Sequence, residues 1–481
     1  MSDPAPGASV SFDGGRKSSV AIVPGLVGLL DAFLLGLCAL LTYRRLVIFS
    51  YETVDIYVAT TFFVCFLALF LFQRAGLYEI DAIMRPLRFS DTVIAAMATS
   101  VLFFLSIVVA LKAGAGLSFT WLLAFAGSGV VVLITARMLV YLFLLRLSRK
   151  ELIGRSLVVY GDGEQARRFL KRIDEVRPYF TVVRGVYADA GEQAPTEVAG
   201  RPVLGGTDRL LRDVRAGWID DIVIALPWSE DLELARIVER LKELPVNVHI
   251  ASDLVGFRLR FRPVLGSLQQ LSMFEVERRP IAGWSSLLKA LEDYLFAGVA
   301  LLLLSPLLLI VAVAIKIDDP KGPVFFMQKR LGFNNRPFEI YKFRSMYHNR
   351  PDEAVVRQAT KGDPRVTRVG RIIRATSIDE LPQLFNVLNG TMSLVGPRPH
   401  ALDHNEEYGR QIRGYFTRHK VKPGITGWAQ VKGLRGETED IAKMEARIRH
   451  DIYYAENWSL LFDLRILVMT ALVVFFQRSA Y

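Results

Sequence analysis

Thr376-Ser-Ile-Asp-Glu-Leu-Pro-Gln-Leu-Phe-Asn-Val-Leu-Asn-Gly-Thr-Met-Ser-Leu-Val-Gly-Pro-Arg-Pro399 carries the densest chemistry of the chain and decides how the rest must be arranged around it. Asp379 and Glu380 are adjacent carboxylates that follow hydroxyl residues and open a helix-like apolar pattern. Arg365, Arg368, Arg371 and Arg374 precede them at intervals of three, with no acid between, and the stiff Gly396-Pro-Arg-Pro399 turn follows. An acid pair among arginines suits phosphoryl transfer, with one group to attack or hold a metal and cations to bear phosphate charge. Ser377-x-x-Glu380 also reads as a helix capping box, a purely structural use of the same acid.

The 481 residues allow several domains. Hydrophobic residues make up 52% and the net charge is +11; mean hydropathy is +0.30. A greasy and basic chain points to a membrane protein facing anionic headgroups or phosphorylated substrates. Nucleic-acid binding is set aside, because the apolar residues fall in blocks of membrane length. Cys38 and Cys65 lie inside such blocks, so neither a disulfide framework nor a thiolate metal cluster is indicated, and a histidine-built metal site is not expected from the six histidines.

Residues 1–19 are polar and read as disordered, with no cleaved signal. Apolar blocks near 20–43, 54–73, 92–111 and 117–145 each match the ~20 residues needed to cross a bilayer. Basic residues gather before the first (Arg16, Lys17), between the second and third (Arg74, Arg85, Arg88) and after the fourth (Arg146, Arg149, Lys150). The other loops hold only Arg44, Arg45 and Lys112. The positive-inside rule therefore gives four spans over 20–150 with both ends cytoplasmic. Asp31 and Arg137 lie within these spans, as a buried pair or near helix ends.

Soluble α/β texture follows. Buried-strand runs at Ser156–Tyr160, Val182–Tyr187, Ile219–Leu226 and Val246–Ile250 alternate with helical stretches, which predicts a parallel, doubly wound, Rossmann-like module over 151–275. Gly161-x-Gly163-x-x-Ala166 suits a phosphate at a helix N-terminus. A tight strand-to-helix turn that needs glycine for its backbone accounts for it at least as well. Asp189 is a loose match to a ribose-binding acid.

A fifth apolar block, 294–315, is long enough to span. Ser305-Pro306 sits at its centre, where proline frees a carbonyl that Ser305 can help satisfy. Lys289 lies before it and Lys316 and Lys321 after it. Hydropathy alone favours a fifth span, but that would place Asp379 and Glu380 on the outer side of the membrane, away from the cytosol. We therefore expect a re-entrant helix bent at Ser305-Pro306, with a catalytic domain over 276–481. The short apolar run 460–476 suits an interfacial or subunit-packing helix.

Beyond 316 come Gln328-Lys-Arg-Leu-Gly-Phe-Asn-Asn-Arg336, Tyr341-Lys-Phe-Arg-Ser-Met346, Gly362-Asp-Pro-Arg-Val-Thr-Arg368, the acid stretch, Lys422-Pro-Gly-Ile-Thr-Gly-Trp-Ala-Gln-Val-Lys-Gly433 and Asp451-Ile-Tyr-Tyr-Ala-Glu-Asn-Trp-Ser459. These motifs, in this order across 280–481, resemble the bacterial sugar transferases, the monotopic phosphoglycosyl transferases. The upstream helices and α/β module match the large, multi-domain branch. Gly332-Phe-Asn-Asn335, Pro399-His-Ala-Leu-Asp-His-Asn405 and Gly427-Trp-Ala-Gln-Val-Lys-Gly-Leu-Arg-Gly-Glu-Thr438 resemble the subgroup acting on glucose and undecaprenyl phosphate. The chain departs at Lys432-Gly-Leu434, where that pattern has an asparagine and an aromatic residue, which bears on the sugar and not on the reaction class.

The resemblance implies transfer of a hexose 1-phosphate, glucose in the first place and galactose as the alternative, from a UDP-sugar to undecaprenyl phosphate. UMP is released, and the step initiates exopolysaccharide or capsule assembly. It implies an inner-membrane, multi-pass protein with a cytoplasmic catalytic domain, in contact with membrane lipid and with homo-oligomers open. Asp379 matches the nucleophile that becomes an acyl phosphate. Glu380 matches the partner acid on Mg²⁺. Asp451 reads equally as a further metal or positioning acid or as a helix-surface charge. Arg398, held between prolines, leads the phosphate-binding candidates, followed by Arg374, Arg368, Lys329, Arg330, Lys342 and Arg344; an ion pair fixing the turn is the alternative for Arg398, and a solvated helix face that for Arg365 through Arg374. Tyr454 and Trp458 read as packing or anchors. Two other readings remain. A nucleotide-sugar dehydratase or epimerase lacks its Tyr-x-x-x-Lys pair, since Tyr160, Tyr179 and Tyr187 are followed by Glu164, Val183 and Gly191. A non-catalytic scaffold or nucleotide sensor in polysaccharide export would release no UMP.

Overall fold

The computed structural model describes residues 20–47, 51–111, 117–150, 153–189, 195–251, 273–348, 363–400, 402–434 and 441–476. The expected disorder over 1–19 lies outside these residues, as do Lys112, Gly362 and 435–438 of the motifs quoted above. The chain forms two compact units, one made of Met1–Leu157, Arg167–Arg184 and Leu254–Met273, the other of Val158–Ala166, Gly185–Asp253 and Phe274–Tyr481.

The first unit carries the four expected apolar helices, Val23–Leu46, Tyr51–Arg74, Ser90–Ala110 and Phe119–Arg149. They share one core built around Leu35, Phe72, Met97, Trp121, Phe125 and Leu133. Their outward faces keep large apolar side chains exposed, among them Phe33, Phe62, Phe66 and Leu139, as lipid-facing helices do. Asp31 and Arg137 meet at 2.6 Å in the buried interior. The pair satisfies two charges that would be costly alone in an apolar helix bundle.

The fifth long apolar helix, Trp284–Asp318, belongs to the second unit and runs for 35 residues with Pro306 inside it. Helical hydrogen bonding continues past the expected bend. Pro306 has no N–H for the carbonyl four residues back, Leu302 O, and Ser305 Oγ donates to that oxygen at 2.8 Å. The helix joins the other four as long and apolar enough to cross a membrane. The protein is thus a membrane-anchored α/β protein.

The mixed sheet comprises β1 (Arg155–Tyr160), β2 (Thr181–Tyr187), β3 (Glu197–Val198), β4 (Arg201–Gly205), β5 (Asp221–Ile224), β6 (Asn247–Ala251) and β7 (Met273–Glu277), in the order β3-β4-β2-β1-β5-β6-β7. β5 pairs with β6 and β2 with β4 in parallel, while β3 returns antiparallel to β4. The four strands expected from apolar runs are present. β3, β4 and β7 are short and carry polar residues, so no buried-strand pattern announces them, and β7 runs through the boundary expected at 275/276.

The C-terminal part adds an antiparallel hairpin, β8 (Phe325–Leu331) with β9 (Pro337–Phe343), and a parallel pair, β10 (Ser393–Val395) with β11 (Gly424–Thr426). Gly396 and Gly424 let the latter backbones meet, since a Cβ on Gly424 would lie 2.1 Å from Gly396 N. Ala297, Leu384, Val387, Leu394, Tyr454 and Ile466 form the core. The first half of the Trp284–Asp318 helix enters that core. Its last turns pack Val311 and Ile315 on Phe343 and Ile373, and Asp318 accepts from Val369 N. Both halves of this helix therefore dock on the same body. Lys289 is buried there against Asp463 (2.6 Å) and Asp293 (3.2 Å). Tyr454 and Trp458 both donate to Asp463, the packing role expected of them.

Candidate active site

The β8–β9 hairpin delivers two cations to one place. Side chains alternate across a strand, so in the register Arg330↔Phe338 and Phe326↔Lys342 both Arg330 and Lys342 fall on one face. Lys329 falls on the other face, opposite Glu339, and is exposed.

The acid pair arrives from a broken helical segment. Thr367 caps the helix Arg368–Ala375, its Oγ1 accepting from Gly370 N at 2.8 Å. A Cβ on Gly370 would strike Ser345 O, so this helix lies directly against the backbone after β9. Ser377 then turns left-handed, with φ 57°, a conformation unfavourable for a serine. Ile378–Glu380 form a single 3-10 turn, and a six-residue helix follows at Gln383–Leu388. The dyad is therefore not in the first turn of an α-helix, and the capping box does not form. Ser377 makes no side-chain cap, and the carboxylate of Glu380 points elsewhere.

It points at three donors. Arg398 grips both oxygens of Glu380, Nη1 to Oε2 at 3.0 Å and Nη2 to Oε1 at 2.6 Å. Lys342 Nζ adds a third bond to Oε1 at 2.8 Å. Burial opposes ionisation of Glu380, but Arg398 and then Lys342 outweigh it and hold the carboxyl well below the ordinary range. Asp379 differs. Among the described residues no donor or cation forms a hydrogen bond or ion pair with its carboxylate. Burial, and then the neighbouring Glu380 charge, push its pKa up, against the pull of Lys342, Arg374 and Arg398. The two acids, adjacent in sequence, are thus set to opposite states of readiness: one pinned, one open. Arg330 is drawn into the same cluster. Burial and the nearby Arg398 lower its pKa to about 10, with Glu380 opposing, and its buried Nε has no hydrogen-bond partner among the described residues.

The remaining candidates are distributed as follows. Arg374 acts on Asp379 electrostatically. Arg368 is exposed on its helix, and Arg365 is bound to Asp363 at 2.6 Å. Arg344 is buried and committed to Asp319, with Nη1 to Oδ2 at 2.9 Å and Nη2 to the main-chain oxygen at 2.7 Å. A Cβ on Gly322 would overlap its guanidinium, so Arg344 fixes the return from the membrane helix to β8. Asp451 is buried in an ion pair with Arg418 at 2.8 Å. Arg418 escaped the sequence reading, although the basic run Arg418-His-Lys420 was its signal. Its Nη2 donates to Arg398 O at 2.5 Å and its Nη1 contacts the ring of His400. Tyr415 Oη is shared between His400 and Asn405. This network holds the main chain on which Arg398 stands. Of the two acids expected at a metal, Glu380 has both oxygens engaged by cations and Asp451 has Oδ2 paired with Arg418, and the described residues contain no group of three or more His, Cys, Asp or Glu able to hold a metal ion.

In the α/β module, Gly161 has φ 120°, and a Cβ there would lie 2.7 Å from Ala225 O. Backbone geometry alone demands this glycine. Asp189 accepts from Thr207 N at 2.6 Å, from Thr207 Oγ1, and from Tyr160 Oη at 3.2 Å. It thereby caps the helix Thr207–Ala216. Both residues are accounted for without a ligand.

A bacterial sugar transferase family model matches residues 284–477, and a second model, described as a CoA-binding domain, matches 73–252. A UDP-glucose:undecaprenyl-phosphate glucose-1-phosphate transferase of Xanthomonas campestris pv. campestris is 38% identical over 77% of this chain and 77% of its own length. A protein of the same description from Escherichia coli (strain K12) is 43% identical over 58% of this chain, a match that spans 59% of that protein. A UDP-N-acetylgalactosamine-undecaprenyl-phosphate N-acetylgalactosaminephosphotransferase of Aeromonas hydrophila is 49% identical over 37% of this chain and 41% of its own length. The chain belongs to the bacterial sugar transferase family.

Proposed function

We propose that this protein transfers glucose 1-phosphate from UDP-glucose to undecaprenyl phosphate, releasing UMP, through a covalent phosphosugar on Asp379. The observation that carries this reading is the contrast within the dyad. Glu380 is held by Arg398 and Lys342, while the Asp379 carboxylate beside it stays open among the same cations. Partial burial makes that carboxylate less solvated and a better nucleophile than one in water.

An Asp379 oxygen attacks the phosphorus that bears the sugar. The P–O bond to the uridine phosphate breaks, and its electron pair leaves with UMP. An oxygen of the lipid phosphate then attacks the same phosphorus and restores the Asp379 carboxylate. Lys342, Arg374, Arg398 and Arg330 face the phosphate charge throughout. Mg²⁺ supplies charge neutralisation to a diphosphate when bound. Magnesium is served by one or two carboxylates plus substrate phosphates, and Asp379 is the acid of this cluster whose oxygens are not already committed.

Glucose, rather than another hexose, is supported by the names of the Xanthomonas and Escherichia relatives. The Aeromonas relative, whose name gives N-acetylgalactosamine, aligns over a shorter stretch. The topology that fits is four spans and a re-entrant Trp284–Asp318 helix, with the catalytic unit on the inner face of the cytoplasmic membrane. Docking of both halves of that helix on one body supports it. The test is UMP release from a panel of UDP-hexoses with undecaprenyl phosphate. Release with UDP-glucose is expected, and release with another UDP-hexose alone would reassign the sugar.

A further inference from the structure

The loop between β8 and β9, Gly332-Phe-Asn-Asn-Arg336, does not face the acid pair. It closes the C-terminus of the α/β-module helix Thr207–Ala216. The last carbonyls of a helix have no partners within it. Asn334 Nδ2 donates to Val214 O at 3.2 Å and to Arg215 O at 2.9 Å. Arg336 Nε donates to Arg215 O at 3.3 Å and its Nη2 to Ala216 O at 2.6 Å. A cation at this end also meets the negative pole of the helix. Three features prepare the contact. Asn334 and Asn335 both take positive φ, 56° each, which asparagine tolerates better than most residues. Gly217 ends the helix with φ 82°, and a Cβ there would lie 2.6 Å from Arg336 Nη2. On the far side of the loop His419 hydrogen-bonds Asn335, and Arg279 lies 5.3 Å over the Phe333 ring.

We infer that Asn334 and Arg336 are positioning residues, through which the α/β module braces the hairpin that presents Arg330 and Lys342 to the dyad. This rests on the reaction proposed above for Asp379 and Glu380. The loop joins the two strands directly: Arg330 stands one residue before the end of β8, and Lys342 lies on β9 in register with Phe326. Holding the loop on an α-helix end limits how far the two strands can swing, and so where the Lys342 ammonium sits relative to Glu380. The motif that in sequence marks a subgroup thereby has a mechanical use at the end of the helix Thr207–Ala216.

The test uses the full-length protein in lipid nanodiscs with Arg336→Ala, Asn334→Ala and the conservative Arg336→Lys. Arg336 is exposed, so its truncation leaves the fold in place. Two readouts are taken. Hydrogen–deuterium exchange over 325–343 is expected to speed up in both alanine variants, whatever the enzyme turns over; unchanged protection overturns the brace. UMP release is expected to show kcat reduced roughly tenfold at similar KM, since small misplacements of charged groups are costly, with partial recovery in Arg336→Lys. Combining Arg336→Ala with Lys342→Ala should add little to Lys342→Ala alone. Full additivity, or an unchanged kcat, would mean that the loop does not act through Lys342. Wild-type protein that releases no UMP from any UDP-hexose would defeat the reaction and leave the exchange experiment to judge the brace.

Discussion

Arg398 meets Glu380 as a fork, with two parallel hydrogen bonds of 3.0 and 2.6 Å to the two carboxylate oxygens. The guanidinium is presented from a main chain fixed by Pro397, Pro399 and the Arg418 bond to Arg398 O. A lysine cannot reproduce that planar contact. Arg398→Lys is therefore expected to lower UMP release on the order of 10²-fold, the scale of losing one preorganised charged donor. Steady-state rates at saturating substrate check this; a loss below about threefold would show that the fork is dispensable.

Acidity offers an independent check. In the proposed reaction Asp379 must be ionised to attack, and its pKa lies above the ordinary carboxylate value because of burial and the Glu380 charge. Activity should fall on the acid side through that raised pKa. Removing a neighbouring cation, as in Arg374→Ala, further disfavours the anion, so the acid limb must move to higher pH. A pH profile of kcat/KM for wild type and variant decides; a limb that moves down contradicts the assignment.

Asp451 separates two uses of a buried acid. Its partner Arg418 is fully buried, and breaking a buried pair by removing one member costs about 3–5 kcal/mol. Arg418→Ala should therefore destabilise strongly. Asp451→Asn should lower the melting temperature without changing the magnesium concentration needed for half-maximal UMP release. A shifted magnesium requirement would restore Asp451 as a metal ligand.

Much of this was legible in the sequence, for reasons that can be named. The four long apolar helices of the first unit stand out by length and hydropathy, and β1, β5 and β6 by short apolar runs such as 157–160 and 222–224. The phosphate candidates divide by geometry that sequence does not carry. Lys342 and Arg344 are two residues apart, yet the first reaches Glu380 and the second is spent on Asp319. The capping box at Ser377 and Glu380 was a local pattern overruled by tertiary contacts, because two cations outcompete a backbone N–H for a carboxylate. The Asn334–Arg336 clasp joins chain segments more than a hundred residues apart, and the basic run at Arg418-His-Lys420 marks a charge without showing that it holds the main chain of Arg398.

The membrane helix carries its own test. Ser305 already supplies the donor that Pro306 removes, so Pro306→Ala should restore the backbone hydrogen bond at little cost in stability and, in the proposed re-entrant topology, move part of the population to a spanning state, with loss of activity. In wild type lacking Cys38 and Cys65, Ser286→Cys and Pro323→Cys should both be shielded from an impermeant thiol reagent added outside intact cells. Labelling at Pro323→Cys alone would establish a span.

The central claim is that Asp379, and not Glu380, takes the phosphosugar. Purified protein is incubated with UDP-glucose labelled in the sugar, without lipid acceptor, and the label bound to protein is counted. Wild type should carry label that is discharged by undecaprenyl phosphate, and Asp379→Asn should carry none while remaining folded in the membrane. Label retained on Asp379→Asn, or normal UMP release from it, would contradict the account.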